Sequence, residues 1–314
     1  MDYQKTFIDI IARYVPEDEK LVDFISRLIN LGKEASYRRI RGEVEFTLSE
    51  VVTISKALNI NLTSLIIREG GEKVTFNLRL PEDANPANSN IKKIEADLNV
   101  LEGIDKKSDS TLYSVCRSIP DIFYYEHPYL TKLKLLKTQF NIGAVQPLPL
   151  SHIEIPNKLL KIQEEYWNEL KYFNLTYILA PNLLTSIISD IQFFNNLNLI
   201  SEQEKQHLKK ELISILNIID ETARTGLFRQ KEISLYVSHV ILDLSHSLIV
   251  SKALDASVID LHYPNSLLSF DREMCQSHLR RIQVIRKCSS SITMSGEPTK
   301  ISFLSDQKDM IGLL

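Results

Sequence analysis

A cluster of cationic side chains near the amino terminus is the segment best suited to chemistry. Lys33, Arg38, Arg39 and Arg41 lie within nine residues in which Glu34 is the single acid, so the local charge balance is +3. An arginine guanidinium presents a planar fork of N–H donors that fits phosphate oxygens and the O6 and N7 acceptors of guanine, and lysine binds phosphate as a point charge. This spacing favours a surface that binds phosphate groups or base edges.

Sequence signatures of the common enzyme classes are absent. The chain contains no GxGxxG, GxxxxGKS/T, GxSxG, HExxH or CxxC pattern, and these are the spacings that phosphate-binding loops, nucleophile elbows and zinc sites use. Its seven histidines are dispersed, and the nearest pair, His239 and His246, would lie on opposite faces of a single strand. We therefore predict no enzyme, no metal and no cofactor. An enzymatic alternative would have only scattered histidines and carboxylates to use.

Composition is that of a folded soluble protein. The 314 residues are 44% hydrophobic and 25% charged, with a net charge of −3, which is typical of a globular chain of two or more domains. Cys116, Cys275 and Cys288 lie far apart, which favours buried reduced thiols over a disulfide framework. An acid stands where a secretory signal needs basic residues, and no window approaches 18 apolar residues. We expect a cytoplasmic protein without membrane contact.

The first seventy residues carry the apolar spacing of a bundle of short helices. Hydrophobic residues recur there at intervals of three and four. They are Phe7, Ile10 and Ile11, then Leu21, Phe24, Ile25 and Leu28, then Val51, Val52, Ile54 and Leu58. Thr47 followed by Glu50 forms a capping box, and a last short helix would begin at residues 59–63. We predict a five-helix domain over residues 1–70.

A linker and a larger domain follow. Residues 74–80 alternate as a short strand would, and residues 71–90 as a whole read as a linker. Residues 91–314 are predicted to be mostly helical, with a small β-meander at about 228–263. The helices are expected at roughly 90–103, 109–118, 128–139, 156–173, 181–195, 201–223, 268–288 and 298–314. The predicted fold class is therefore mainly α.

Two groups of side chains in the larger domain allow more than one interpretation. Aromatic residues are dense at 123–129 and 166–177; a core is the first expectation, and an apolar pocket or a dimer seam is the alternative. Five cations make the helix at 268–288 basic. We expect them to pair with the acidic stretches at 164–169 and 202–211, and the alternative is contact with phosphates or an anionic ligand.

Residues 28–65 carry a resemblance to a known family. The clearest matches are residues 35–42, ASYRRIRG, and 54–60, ISKALNI. The segment resembles the helix-turn-helix domain of the Cro and phage-repressor-like (XRE-type) transcription regulators. It departs from that pattern because Arg41 stands in place of an acid, the glycine comes one residue early and the turn before Lys33 is one residue longer. Ser110 to Lys137 looks, more weakly, like the helical carboxy-terminal half of some bacterial regulators.

The resemblance implies a transcription regulator that binds double-stranded DNA, with a recognition helix over about 33–41 in the major groove. On such a helix Tyr37 and Ile40 would face the core, while Lys33, Ser36, Arg38 and Arg39 project toward solvent. The expected DNA-binding residues are Lys33, Glu34, Ser36, Arg38, Arg39 and Arg41, with Arg38 or Arg39 as the guanine contact. The larger domain would form a homodimer and sense a small-molecule or protein effector.

Two alternatives stay open for the first domain. The arginines could form a solvated helix face paired with Glu43, Glu45 and Glu50. The domain could also be a protein–protein interaction adaptor that uses a repressor-like fold without contacting DNA. Ten bases and eleven acids over residues 1–70 leave it near −1, which is compatible with an adaptor. Salt dependence separates the two functions, because binding to phosphates weakens steeply as salt rises.

Overall fold

The chain forms two compact units, Met1–Thr75 and Phe76–Leu314, which we call the amino-terminal and carboxy-terminal units. The computed structural model describes residues 3–16, 18–58, 60, 62, 74–81, 83–104, 109–143, 146–252 and 254–314. Within these residues, no helix has both the length and the apolar character needed to cross a lipid bilayer.

The amino-terminal unit is a bundle of short helices. Its described helices are α1 Tyr3–Ala12, α2 Leu21–Ile29, α3 Lys33–Ile40 and α4 Leu48–Leu58. Phe7, Phe24 and Ile54, one from each of α1, α2 and α4, are buried in one cluster, as their spacing predicts. The fifth helix predicted from residues 59–63 stays a prediction, because most of that stretch lies outside the described residues.

The turn between α2 and α3 consists of Asn30, Leu31 and Gly32. Asn30 has a φ of 51° and a ψ of 45°, a left-handed conformation, and its N–H donates to the carbonyl of Ser26. Asparagine tolerates this conformation better than most residues. The chain therefore turns within three residues, and α3 packs on α2 in a helix-turn-helix arrangement.

The connection from α3 to α4 is held by Gln4 and by a helix cap. Gln4 Nε2 donates to the carbonyl oxygens of Arg39 at 2.8 Å and Val44 at 2.9 Å. The predicted capping box is confirmed, because the N–H of Glu50 donates to Thr47 Oγ1 and the N–H of Thr47 donates to Glu50 Oε2. These bonds satisfy backbone groups that a helix end leaves unpaired.

The carboxy-terminal unit is built on a β-sheet, and the prediction of a mainly α, mostly helical domain is wrong. Its strands are β1 Asn77–Arg79, β2 Thr111–Cys116, β3 Asn174–Leu179, β4 Leu227–Phe228, β5 Lys231–Ser238, β6 His246–Val250, β7 Ala256–Asp260, β8 Ser266–Ser269 and β9 Ser289–Ser291. Over the described residues they form a nine-stranded mixed sheet in the order β1-β8-β7-β6-β2-β3-β5-β4, with β9 beside β5. Strands β2, β3 and β5 are parallel, and the other pairings are antiparallel.

Helices cover both faces of this sheet. They are α5 Pro86–Glu102, α6 Pro128–Asn141, α7 Asn157–Leu170, α8 Thr185–Asn196, α9 Glu202–Thr225, α10 Arg272–Lys287 and α11 Glu297–Gly312. Leu112 and Leu175 belong to the main core, which α5 to α9 and α11 share. Val115 and Ile178 face the opposite layer, where they pack with Ile282 of α10. The sheet thus lies between two helical layers.

The errors in the predicted fold fall on the central strands. Strand β2 lies where a helix was predicted at 109–118, and β3 was not predicted. Central parallel strands are buried on both faces, so they lack the alternation that marks a half-exposed strand; Leu175 to Leu179 are all buried. The meander prediction is right for the antiparallel pair β6 and β7 and wrong for β5, which pairs in parallel with β3.

Candidate functional site

Ser36 lies on the side of α3 that packs against α2. Its side chain is fully buried, and Ser26 Oγ donates to Ser36 Oγ at 3.0 Å. The expectation that Ser36 projects toward solvent is wrong, because this small residue occupies the contact between the two helices. In the folded unit Ser36 is therefore a packing residue of the helix pair.

Arg39 is also turned away from solvent, with 14% of its side chain exposed. Its Nε and Nη2 donate to the two carboxylate oxygens of Glu50 at 2.9 and 2.8 Å, and Nη1 donates to the carbonyl of Ala35 at 3.2 Å. Burial opposes ionisation of Glu50, but the hydrogen bonds from Arg39 and Thr47 outweigh it and lower the pKa of Glu50. The expectation that Arg39 projects toward solvent is wrong, and for this residue the paired alternative holds.

Five exposed residues form one side of α3 and its carboxyl end: Lys33, Glu34, Tyr37, Arg38 and Arg41. Steps of three and four place them together on a helix, and we call them the α3 face. The ring of Tyr37 is 46% exposed, so the prediction that it packs in the core is wrong. The guanidinium carbon of Arg41 lies 4.7 Å from the centroid of that ring.

The cations of the α3 face make surface ion pairs. Lys33 Nζ lies 2.5 Å from Asp23 Oδ1, while Arg38 Nε and Arg41 Nη1 lie 3.7 and 3.6 Å from carboxylate oxygens of Glu43. Exposed pairs of this kind contribute about 0–1 kcal/mol. A phosphate group can therefore displace Glu43 from both arginines at small cost.

Four cations of the basic helix α10, at positions 280, 281, 286 and 287, form no ion pair with the acidic stretches at 164–169 and 202–211 in the part of the chain that the structure describes. Those stretches belong to α7 and α9, which pack in the main core, whereas α10 packs on the other face of the sheet. The predicted pairing is wrong for this reason. Arg280, Arg281, Arg286 and Lys287 are exposed on α10.

A cavity of about 340 Å³ lies within the carboxy-terminal unit. Its walls include the carboxyl end of β2, the carboxyl end of β7 and the start of β6, with α5 beside them. The parallel and antiparallel parts of the sheet meet there, because β2 pairs in parallel with β3 and antiparallel with β6. Ligands of α/β proteins commonly bind outside the carboxyl ends of strands.

The aromatic stretches are divided between the core and this cavity. Phe123 and Trp167 are buried in the main core, to which Tyr177 also belongs; Tyr125, Tyr166 and Tyr177 line the cavity. The core interpretation therefore holds for Phe123 and Trp167. The cavity that the three tyrosines line also carries charged residues in its wall, and the dimer seam stays a prediction. The spacing of the aromatics alone does not separate the two groups.

Charged side chains that are distant in sequence meet beside the cavity. Arg79 Nη1 and Lys93 Nζ each lie 2.9 Å from a carboxylate oxygen of Asp97, and Lys134 Nζ lies 2.6 Å from Asp121 Oδ1. Burial alone would lower the pKa of Lys93, but nearby carboxylates, Asp97 first, raise it well above its usual value. The sequence carries no motif for this group, because its five members come from four separate segments. The four-residue step from Lys93 to Asp97 is the single local signal.

His246 pairs with His278 of α10. His278 Nε2 lies 2.7 Å from His246 Nδ1, and His278 Nδ1 lies 2.8 Å from Ser257 Oγ. Burial lowers the pKa of each histidine to about 4, so both are neutral near pH 7. The expectation that His239 and His246 share one strand is wrong, because His239 follows β5 and His246 begins β6.

The cysteines are free, with Cys116 and Cys275 buried and Cys288 exposed. The expectation of buried thiols therefore holds for two of the three. No group of three or more His, Cys, Asp or Glu residues suited to a metal ion occurs in the described part of the chain. Comparison of the chain with protein-family models, with curated proteins and with solved structures finds no match.

Proposed function

We propose that the chain is a sequence-specific DNA-binding transcription regulator and that α3 is its recognition helix. The observation that carries this proposal is the α3 face, which exposes Lys33, Arg38 and Arg41 on the second helix of a helix-turn-helix arrangement. Ser36 and Arg39 support that helix from its inner side. The resemblance of residues 28–65 to XRE-type regulators favours the same function.

Each residue of the α3 face suits a different group on DNA. Lys33 and Glu34 occupy the first turn of α3, the part of a recognition helix that approaches base edges. Lysine donates to guanine acceptors, and glutamate accepts from the amino group of cytosine. Arg38 is the proposed bidentate guanine contact. Arg41, whose guanidinium lies over the ring of Tyr37, is the proposed contact to a backbone phosphate.

A second copy of the chain belongs to the proposal. One recognition helix spans only a few base pairs, and two copies that present α3 about 34 Å apart contact paired half-sites one turn of DNA apart. The carboxy-terminal unit is the proposed dimerisation element. Sedimentation velocity on the full chain at micromolar concentration tests this step, and a strict monomer with and without a selected duplex would contradict it.

Selection of bound duplexes from a random pool tests DNA recognition directly. Wild type should enrich one motif, and Arg38→Ala/Arg41→Ala should lose the enrichment because it removes two of the three cations of the α3 face. The matched control Arg280→Ala/Arg286→Ala removes the same charge from exposed positions on α10 and should enrich the wild-type motif. The proposal fails if wild type enriches nothing, or if the α3 variant enriches as wild type does.

Salt dependence separates DNA binding from the adaptor function. For B-DNA the logarithm of the binding constant falls by about 0.9 per neutralised phosphate for each unit in the logarithm of the salt concentration. Arg41→Ala should reduce that slope by about 1 without changing the preferred sequence. Retention of DNA that salt does not affect, together with the absence of an enriched motif, would replace this proposal with the adaptor.

A further inference from the structure

Two charged residues that line the cavity form no ion pair or side-chain hydrogen bond with a described residue. Asp260 ends β7, and Arg117 follows β2. Neither side chain forms an ion pair or hydrogen bond with another described residue, whereas Lys93 and Asp121, which also line the cavity, are both paired. The cavity therefore offers one carboxylate and one guanidinium that form no ion pair or hydrogen bond with a described residue, although the charges of Lys93 and Lys134 act on Asp260.

Ser245 sets the spacing between these two residues. Its Oγ accepts the N–H of Arg117 at 3.1 Å, and its carbonyl oxygen accepts the N–H of Asp260 at 3.0 Å. Arg117 and Asp260 thus flank the same residue from the two neighbouring strands. Their backbones are about 10 Å apart, which is roughly two strand spacings.

Three tyrosines provide neutral polar groups in the cavity wall. The hydroxyls of Tyr125, Tyr166 and Tyr177 form no hydrogen bond with another described residue. Burial raises the pKa of each hydroxyl, so all three stay protonated at neutral pH. A protonated tyrosine both donates and accepts a hydrogen bond, and such groups orient ligands in otherwise apolar pockets.

We propose that the cavity binds a small zwitterion of amino-acid or dipeptide size, with its ammonium group on Asp260 and its carboxylate on Arg117. The tyrosine hydroxyls hold the polar atoms between these two ends. A volume of about 340 Å³ lies at the small end of the range for ligand pockets, about 300–1,000 Å³, which suits this size. The site lies wholly within the carboxy-terminal unit and does not depend on DNA binding.

The charges around Asp260 determine how binding changes with pH. Burial is the main cause that raises the pKa of Asp260, and Asp97 and Asp121 add to it, while Lys93 and Lys134 oppose it. A proton on Asp260 competes with the ammonium group of the ligand. Affinity should therefore rise as the pH rises through the titration of Asp260.

Isothermal titration of the full chain with free amino acids and dipeptides tests the proposal. Each compound is compared with its N-acetylated form, which lacks the ammonium group, and its amidated form, which lacks the carboxylate. Asp260→Asn and Arg117→Gln should each lower the affinity for the zwitterion that binds wild type best by about ten-fold or more. N-acetylation should weaken binding to wild type and have little further effect on Asp260→Asn, because both changes remove the same contact.

Matched controls keep this test decisive. Asp306→Asn and Arg286→Gln remove the same charges from exposed positions on α11 and α10 and should bind as wild type does. Arg117 is exposed, so Arg117→Gln tests the site even if Asp260→Asn fails to fold. The proposal is overturned if no compound binds more tightly than about 1 mM, if the acetylated and amidated forms bind equally well, or if Arg117→Gln matches wild type. Because no DNA is present, such a failure is distinct from failure of the duplex selection.

Discussion

Arg39 of α3 and Glu50 of α4 form a bidentate ion pair, with Nε–Oε2 at 2.9 Å and Nη2–Oε1 at 2.8 Å. Both side chains are mostly buried, and the carboxylate of Glu50 also caps α4 through Thr47. The pair therefore fixes α3 against α4 and leaves Arg38, its neighbour in sequence, exposed on the α3 face. Adjacent arginines thus have separate roles, one in positioning the helix and one on its exposed side.

Arg39→Ala should destabilise the amino-terminal unit much more than Arg38→Ala. Loss of Arg39 leaves the buried carboxylate of Glu50 without its partner, which should lower the free energy of unfolding by about 2 kcal/mol or more. Arg38→Ala removes a weak exposed ion pair and should change the free energy of unfolding by about 0.5 kcal/mol or less. Hydrogen exchange of α1 to α4, followed by mass spectrometry, measures both. Equal protection in the two variants would contradict a supporting role for Arg39.

The amino-terminal unit should lose stability in acid through Glu50. The pKa of Glu50 is lower in the folded unit than the usual 4.5, so the folded state binds fewer protons than the unfolded chain. Above pH 4.5, Glu50 therefore makes its full contribution to stability. That contribution is lost as the pH falls through the lowered pKa. Hydrogen exchange between pH 6 and 3 measures the stability of the unit, which should fall less steeply with falling pH in Glu50→Gln than in wild type. Parallel curves for the two proteins would contradict this linkage.

The carboxy-terminal unit should lose stability between pH 6.5 and about 4 through His246 and His278. Burial lowers the pKa of both from 6.5 to about 4, and for His246 the neighbouring His278 and Arg281 add to this effect. In that pH range the unfolded chain takes up protons that the folded unit excludes, so stability falls as the pH falls.

Fluorescence of the single tryptophan, Trp167, measures this loss, because it is buried in the carboxy-terminal unit. His278→Gln should flatten the dependence of the unfolding midpoint on pH. His239→Gln changes an exposed histidine outside the buried pair and should keep the slope of wild type. An unchanged slope in His278→Gln would show that the pair does not cause it.

Gly296→Ala should be far more damaging than Gly143→Ala. Both glycines have a positive φ, 69° and 73°, so each alanine carries a backbone strain of about 1–2 kcal/mol. A Cβ on Gly296 would also lie 2.2 Å from the carbonyl oxygen of Ser291, whereas nothing lies within 4 Å of one on Gly143. Urea unfolding followed by Trp167 fluorescence should give a cost of about 3 kcal/mol or more for the first variant. Similar midpoints for the two variants would contradict the close approach.

The inner side of α3 illustrates why the site was only partly predictable. Hydrophobicity places Tyr37 inside and Ser36 outside, and the structure has the reverse. The small side chain of Ser36 allows α2 to approach closely enough for a hydrogen bond between Ser26 and Ser36, where a tyrosine ring would hold the helices apart. A neighbour that lies ten residues away in sequence decides the orientation of the helix.

The charged cavity is a further case, because its residues become neighbours only when the sheet forms. Asp260 and Arg117 carry no motif in the sequence, and both are brought beside Ser245 by the pairing of β6 with β2 and β7. Pairing between strands that are far apart in sequence depends on register and order. No local pattern in the sequence specifies either the register or the order of the strands.

Local patterns in the sequence are sufficient to predict the short helices of the amino-terminal unit, the Thr47 cap and most long helices of the carboxy-terminal unit. Each depends on apolar spacing or on hydrogen bonds between residues a few positions apart. The nine-stranded sheet of the described residues, the inward turn of Ser36 and Arg39, and the placement of Asp260 and Arg117 on either side of Ser245 arise from contacts between distant segments. The energies of those contacts come from burial and from long-range pairing, which exist only in the folded chain.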